Sequence, residues 1–175
     1  MRERDLSSLN TIAYGASPIS EEVLRGCLDV FRCRFMQLYG LTETTGAITA
    51  LLPDEHEPGG AHPERLRSCG RPYHHVELRI VNPETGEDRA HHEVGEIWIR
   101  SPQNMLGYWN KPDETAKTVD ADGWLRTGDA GYLDEDGFVY LHDRIKDMIV
   151  SGGENIYPAE VENVLMSHPD VADAA

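Results

Sequence analysis

The chain has 175 residues, enough for one ordinary domain and too few for two of typical size. With 39% hydrophobic and 27% charged residues it is composed to fold rather than to stay disordered, and no apolar run reaches the length of a bilayer-spanning helix. A formal net charge of −15, with Lys and Arg scattered, excludes a nucleic-acid surface but not a small anion held by local amides, one or two cations and a divalent metal.

The opening Met1-Arg2-Glu3-Arg4-Asp5-Leu6 carries charges of both signs with no apolar core behind it, so no secretory signal is expected. Cys27, Cys33 and Cys69 are odd in number and lack paired metal-ligand spacing, which suits reduced thiols and a cytoplasmic protein.

Residues 9–14 have the character of a short strand, broken at Gly15-Ala16-Ser17-Pro18, where small side chains let the backbone approach a ligand. Ser20 is a predicted helix N-cap. Glu21 and Glu22 follow in the first turn, and Val23, Leu24, Cys27, Leu28 and Phe31 make one apolar face. A second apolar run at 35–38 ends at Tyr39-Gly40, and Thr42-Glu43-Thr44-Thr45 opens a turn or helix. The pattern predicts a strand, helix, strand unit of parallel α/β type.

Residues 53–63, rich in Pro, Gly and His, read as a loop. Short strand-like runs then occur at 76–81, 96–100, 124–126 and 138–141. Turn signals at Asn82-Pro83-Glu84-Thr85-Gly86, Asp122-Gly123 and Asp134-Glu135-Asp136-Gly137 separate them, and a helix is expected near 113–118. A twisted antiparallel sheet or partial barrel is the natural packing. Beyond Asp143, residues 148–150 suggest a strand, Ser151-Gly152-Gly153 a flexible turn, Pro158 the first position of a helix, and 171–175 the start of another strand.

Singly, the chemical motifs are weak. Tyr39-Gly40-Leu41-Thr42-Glu43 sets a ring, a bend, a hydroxyl and a carboxylate at a strand's carboxyl end, which fits a nucleotide edge or an ordinary turn. Thr127-Gly128-Asp129 is either a sharp turn or a carboxylate placed for ribose hydroxyls. His74-His75 and His91-His92 are adjacent pairs whose rings point to opposite faces of a strand, so surface roles are expected rather than a shared metal. Trp98, Trp109 and Trp124 are expected to pack, and Asp134-Glu135-Asp136 to form a solvated hairpin turn.

The run Asp143-Arg144-Ile145-Lys146-Asp147-Met148-Ile149-Val150-Ser151-Gly152-Gly153-Glu154-Asn155-Ile156-Tyr157-Pro158-Ala159-Glu160-Val161-Glu162 is more particular than any generic structural need explains. With the three earlier motifs in the same order, it resembles the adenylate-forming superfamily of acyl-CoA synthetases, peptide-synthetase adenylation domains and beetle luciferases. The nearest flavour is a bacterial fatty-acid or medium-chain acyl-CoA ligase, and the resemblance covers essentially the whole chain.

The resemblance implies a mixed fold in three parts: the end of a parallel α/β AMP-binding layer at 1–52, an antiparallel, distorted barrel-like β subdomain at 53–143, and a hinge with the start of a small C-terminal lid domain at 144–175. It also implies roles. Gly15, Ala16 and Ser17 match the turn beside adenine, with Tyr39 and Gly40 at its ring. Thr42 matches the hydroxyl on the α-phosphate, and Glu43 the acid that helps hold Mg²⁺. Asp129 matches the ribose-binding carboxylate, with Arg144 as its cationic companion. Lys146 matches the hinge, and Gly152-Gly153 the backbone along the pantetheine path. ATP or AMP, Mg²⁺, CoA and a small carboxylic acid are the implied ligands.

The sequence departs from the family pattern in three places. The Ser/Thr/Gly-rich phosphate loop with its Lys is absent, and so is the C-terminal Lys that contacts the acyl carboxylate and phosphate. Val150 stands where luciferases and plant coumarate ligases have Lys. The expectation is an interior and C-terminal piece of an acyl-CoA ligase, inactive alone and prone to self-association. The alternatives are a non-catalytic AMP-binding or interaction module and a decayed fragment.

Overall fold

A computed structural model describes residues 4–17, 19–151, 154–166, 168, 170, 171 and 174. Strand β1 (Thr11–Gly15) leads through helix α1 (Glu21–Phe31) to strand β2 (Arg34–Leu41), and β1 and β2 pair in parallel, as the sequence predicts. Ser20 caps α1 by accepting the Val23 amide at 3.3 Å, and the helix ends where Arg32 takes a left-handed φ of 51°. Leu24, fully buried, packs with Phe35 and Leu66, flanked by Cys27, Leu28 and Phe31. Val23 departs from the expected apolar face and is half exposed, a quarter-turn or so around α1 from the fully buried Leu24.

The first sheet is not purely parallel. Strand β3 (Gly46–Leu51) runs antiparallel to β2, and the two-residue strand β4 (Arg71–Pro72) pairs with β3, giving the order β1-β2-β3-β4. The reversal into β3 is made at Thr45, which has a left-handed φ of 55° and follows a short 3₁₀ turn at Thr42–Thr44. Gly-Ala-Ile-Thr-Ala-Leu has few strong strand formers, so propensity gave no signal for β3.

The second sheet is an antiparallel meander of β5 (Glu77–Val81), β6 (Gly95–Arg100), β7 (Leu125–Leu133) and β8 (Val139–Arg144), with helix α2 (Pro112–Thr118) between β6 and β7. It is an open sheet with β5 and β8 at its edges rather than a closed barrel. The two sheets share one core. Tyr39 and Ile48 of the first pack with Ile80, Ile97, Ile99 and Val139 of the second. Backbone bonds from Cys69 N to Val139 O (2.7 Å) and from Val139 N to Gly70 O (2.9 Å) stitch the sheets together.

After a 3₁₀ turn at Ile145–Asp147, strands β9 (Ile149–Ser151) and β10 (Glu154–Ile156) form an antiparallel pair that leads to helix α3 (Pro158–Met166). Tyr157 is buried with its ring 4.9 Å from that of His142 on β8. Gly152 and Gly153 lie outside the described residues. Of the strand expected at 171–175, Val171 and Ala174 are described and neither is in a strand. No described helix is long and apolar enough to cross a membrane.

Candidate functional site

Tyr39 and Asp129, 90 residues apart, meet directly: the Tyr39 hydroxyl donates to Asp129 Oδ2 at 2.6 Å. On the first side, β2 bulges between Tyr39 and Gly40, and Gly40 is required there because a Cβ would sit 2.0 Å from Gly46 O. On the second, β7 breaks register against β6 at Thr127-Gly128-Asp129. The Thr127 hydroxyl donates to Ile97 O at 2.7 Å and accepts the Asp129 amide at 3.0 Å. Gly128, at a φ of 73°, gives its amide to Glu96 Oε1 at 3.1 Å. The buried Glu96 is held in turn by the Trp98 indole at 2.8 Å.

Arg144 lies opposite Asp129 in the β7–β8 ladder, and its Nε is 4.0 Å from Asp129 Oδ1. Burial pushes the Asp129 carboxyl above its ordinary range. The Tyr39 hydroxyl and Arg144 oppose that shift, while Asp143 and Glu43 add to it. Burial also raises Tyr39 far above the ordinary phenol range, with Asp129 next in effect. Tyr39 is therefore a neutral donor at all physiological pH, holding one carboxylate oxygen and leaving Oδ1 toward Arg144.

Glu43 is half-buried on the 3₁₀ turn that follows β2, where its Oε1 accepts the Tyr108 hydroxyl at 2.8 Å, and Thr42 is exposed beside it. Thr44 locks the turn from inside. Fully buried, it accepts the Leu41 amide at 2.9 Å and shares its proton between Leu41 O and Gly46 O. The segment Gly15-Ala16-Ser17 lies at the carboxyl end of β1, with Gly15 level with Leu38 on β2. A Cβ on Gly15 would lie 2.1 Å from Leu38 O, and Ala16 takes a left-handed φ of 64°. Both parallel strands thus deliver their motifs to the same carboxyl edge, where α/β sheets bind ligands.

Tyr39, Asp129 and Arg144 are in contact, Glu43 is close enough to Asp129 to raise it electrostatically, and Gly15, Ala16 and Ser17 share their edge of the sheet. Lys146 is exposed on the 3₁₀ turn after β8. A hollow of about 280 Å³ between the N-terminal segment and the end of α1, lined by Leu6, Leu9 and Phe31 among others, shares no residue with this cluster. His75 bonds Gln103 and His92 bonds Glu135, and no described group of three His, Cys, Asp or Glu side chains is arranged for a metal.

Sequence reasoning missed Thr44, Glu96, Gln103 and Tyr108. Glu96, Gln103 and Tyr108 act by reaching a distant backbone or carboxylate, so no local spacing marks them, while Thr44 acts within its own turn, where its hydroxyl looks like any other turn Thr.

Residues 1–109 match the family described as AMP-binding enzyme, and the chain belongs to that family. Among its relatives is the fatty acid–[acyl-carrier-protein] ligase ScoC of Streptomyces coeruleorubidus, 47% identical over 98% of this chain and 32% of the relative. Among solved structures, the amide bond synthetase McbA of Marinactinospora thermotolerans superposes with a TM-score of 0.87 at 43% identity, covering 98% of this chain and 34% of that one. The o-succinylbenzoate CoA synthetase MenE of Bacillus subtilis, in complex with ATP and magnesium ion, does so at 0.82 and 38% identity, over 96% and 36%. The chain spans about a third of the length of the curated relatives it matches. The mixed α/β fold is that of adenylate-forming enzymes.

Proposed function

We propose that this chain is part of an ATP-dependent, cytoplasmic acid–thiol ligase that adenylates a fatty or other carboxylic acid and passes the acyl group to CoA. The chain supplies the adenosine side of the acyl-adenylate site. Residues 1–52 and 53–143 form its floor and wall, and 144–175 begin the lid. The observation that carries this reading is the 2.6 Å bond from Tyr39 to Asp129, with Arg144 on the other carboxylate oxygen.

In this reading Asp129 Oδ1 accepts a ribose hydroxyl, and the Tyr39 hydroxyl and Arg144 keep the carboxylate in place and ionised. The Gly15-Ala16-Ser17 backbone, with Tyr39 and Gly40, borders the adenine. The Thr42 hydroxyl donates to the α-phosphate as its charge grows during attack by the substrate carboxylate. Glu43 fits a Mg²⁺ held mostly by nucleotide phosphates, since such an ion takes one or two carboxylates and no full protein cage is present among the described residues. When bound, Mg²⁺ supplies charge neutralisation at the transferring phosphoryl group. Lys146 acts as the hinge about which the lid turns, and Gly152-Gly153 lines the thiol's path. The acceptor is the least constrained element, because the relatives named above are a ligase for an acyl-carrier protein, an amide bond synthetase and a CoA synthetase.

Calorimetry with a non-hydrolysable acyl-sulfamoyl adenosine tests the reading. Binding by the 175-residue chain is expected, and Asp129→Asn should weaken it by about tenfold or more, the usual effect of losing a charged hydrogen bond. Equal affinities for the two proteins would reject the assignment.

A further inference from the structure

Residues 101–110, between β6 and α2, form no regular element, yet they grip the turn that carries Glu43 from several sides. The Met105 amide donates to Glu43 O at 2.7 Å. The Gln103 side-chain amide donates to Thr44 O at 2.9 Å and to Ala47 O at 3.1 Å, while its oxygen accepts from His75 Nε2 at 2.6 Å. The Thr45 hydroxyl donates to Gln103 O. These bonds fix the backbone of the turn. The Glu43 side chain is fixed separately, by the 2.8 Å bond from the Tyr108 hydroxyl.

Tyr108 is itself anchored. Its amide donates to Thr115 Oγ1 at 2.9 Å, and that hydroxyl donates to Lys111 O at 2.8 Å, joining the residue to the first turns of α2. Helix α2 buries none of its own residues; it lies against β7 and is tied to Tyr108 through Thr115. With Oε1 engaged by the Tyr108 hydroxyl, the Glu43 carboxylate is restrained through that oxygen, and Oε2 has no hydrogen-bond partner among the described residues.

We infer that Tyr108 is a positioning residue for Glu43, aiming one carboxylate oxygen at the divalent metal that accompanies the nucleotide. The inference rests on the function proposed above. A phenol suits the task better than Lys or Arg, because it orients the carboxylate without cancelling the charge that attracts the cation.

The test uses the whole 175-residue chain, ATP with and without Mn²⁺, and Tyr108→Phe, which keeps the ring and removes only the hydroxyl. Binding is followed by calorimetry and by the paramagnetic resonance signal of free Mn²⁺. The advantage that Mn²⁺ gives to ATP binding should shrink about tenfold in Tyr108→Phe. The double variant with Glu43→Gln should lose no more than Glu43→Gln alone, because the hydroxyl acts only through that carboxylate. A ligand-free measurement accompanies these: at constant pH the ¹³C resonance of the Glu43 carboxylate should move in Tyr108→Phe. An unchanged metal advantage, an unmoved resonance, or additive losses in the double variant would overturn the inference while leaving the nucleotide site standing. Failure of the unaltered chain to bind ATP under either condition would overturn both.

Discussion

At the residue scale, the site depends on a carboxylate kept partly out of water. Burial is the largest influence on Asp129 and raises its pKa in the folded chain above its ordinary value of 3.8. The linkage follows. Below the ordinary value the carboxyl is protonated whether folded or not, and no penalty arises. As pH rises through the folded value, the folded chain must ionise a group the unfolded chain ionises more readily, and stability is lost. Asp129→Asn should therefore be more stable than the parent at neutral pH, the gain fading toward pH 3.5, while ligand affinity falls wherever the parent's Asp129 is ionised. Thermal unfolding across that range checks it; a parent chain that outlasts the variant at pH 7 would contradict the burial argument. Cys69 makes a second prediction. Burial pushes its thiol up to about 12, so at pH 8 a disulfide thiol reagent should leave it unmodified until denaturant is added. Rapid native labelling of Cys69, read by peptide mass mapping, would show that the shared core opens freely.

At the element scale, close backbone approach sets the geometry. Gly40 abuts Gly46 O and Ala47 Cα, so Gly40→Ala must push β2 and β3 apart next to both Tyr39 and Glu43. A loss of about 1–3 kcal/mol is expected, with weakened nucleotide-mimic binding. Gly128 has open space for a Cβ but a left-handed φ of 73°, so Gly128→Ala should cost about 1–2 kcal/mol from backbone strain alone. Denaturant titration of both variants separates the two effects, and an undamaged Gly40→Ala protein would mean the bulge can relax.

At the scale of the whole molecule, one core joins the two sheets, while edges and apolar surface remain outside it. Strand β1 ends the first sheet, and Leu52, Leu106, Trp109 and Val164 are exposed. An uncovered strand edge and scattered apolar surface favour self-association. Sedimentation velocity should show oligomers growing with concentration, and a monomer at every concentration would rule the proposal out.

The strand, helix, strand unit and the hairpin turns of the second sheet were legible in the sequence, because capping, periodicity and turn chemistry are local. The order of Tyr39-Gly40-Leu41-Thr42-Glu43, Thr127-Gly128-Asp129 and the run from Asp143 was equally legible, and it pointed to the AMP-binding family to which the chain belongs. Strand β3 escaped because small residues become a strand only when neighbouring strands enclose them. The antiparallel character of the second sheet was legible too, and strand pairing then decided between the open sheet and the partial barrel, since closure is not a property of any one strand. Glu96, Gln103 and Tyr108 escaped because their work is done across 32, 59 and 65 residues of chain. Sequence by itself determined which side chains were available to meet a nucleotide. The tertiary structure alone decided which of them touch, which oxygen of each carboxylate is held, and which is left open, because hydrogen bonds at 2.6–2.8 Å depend on positions that only the packing of both sheets sets.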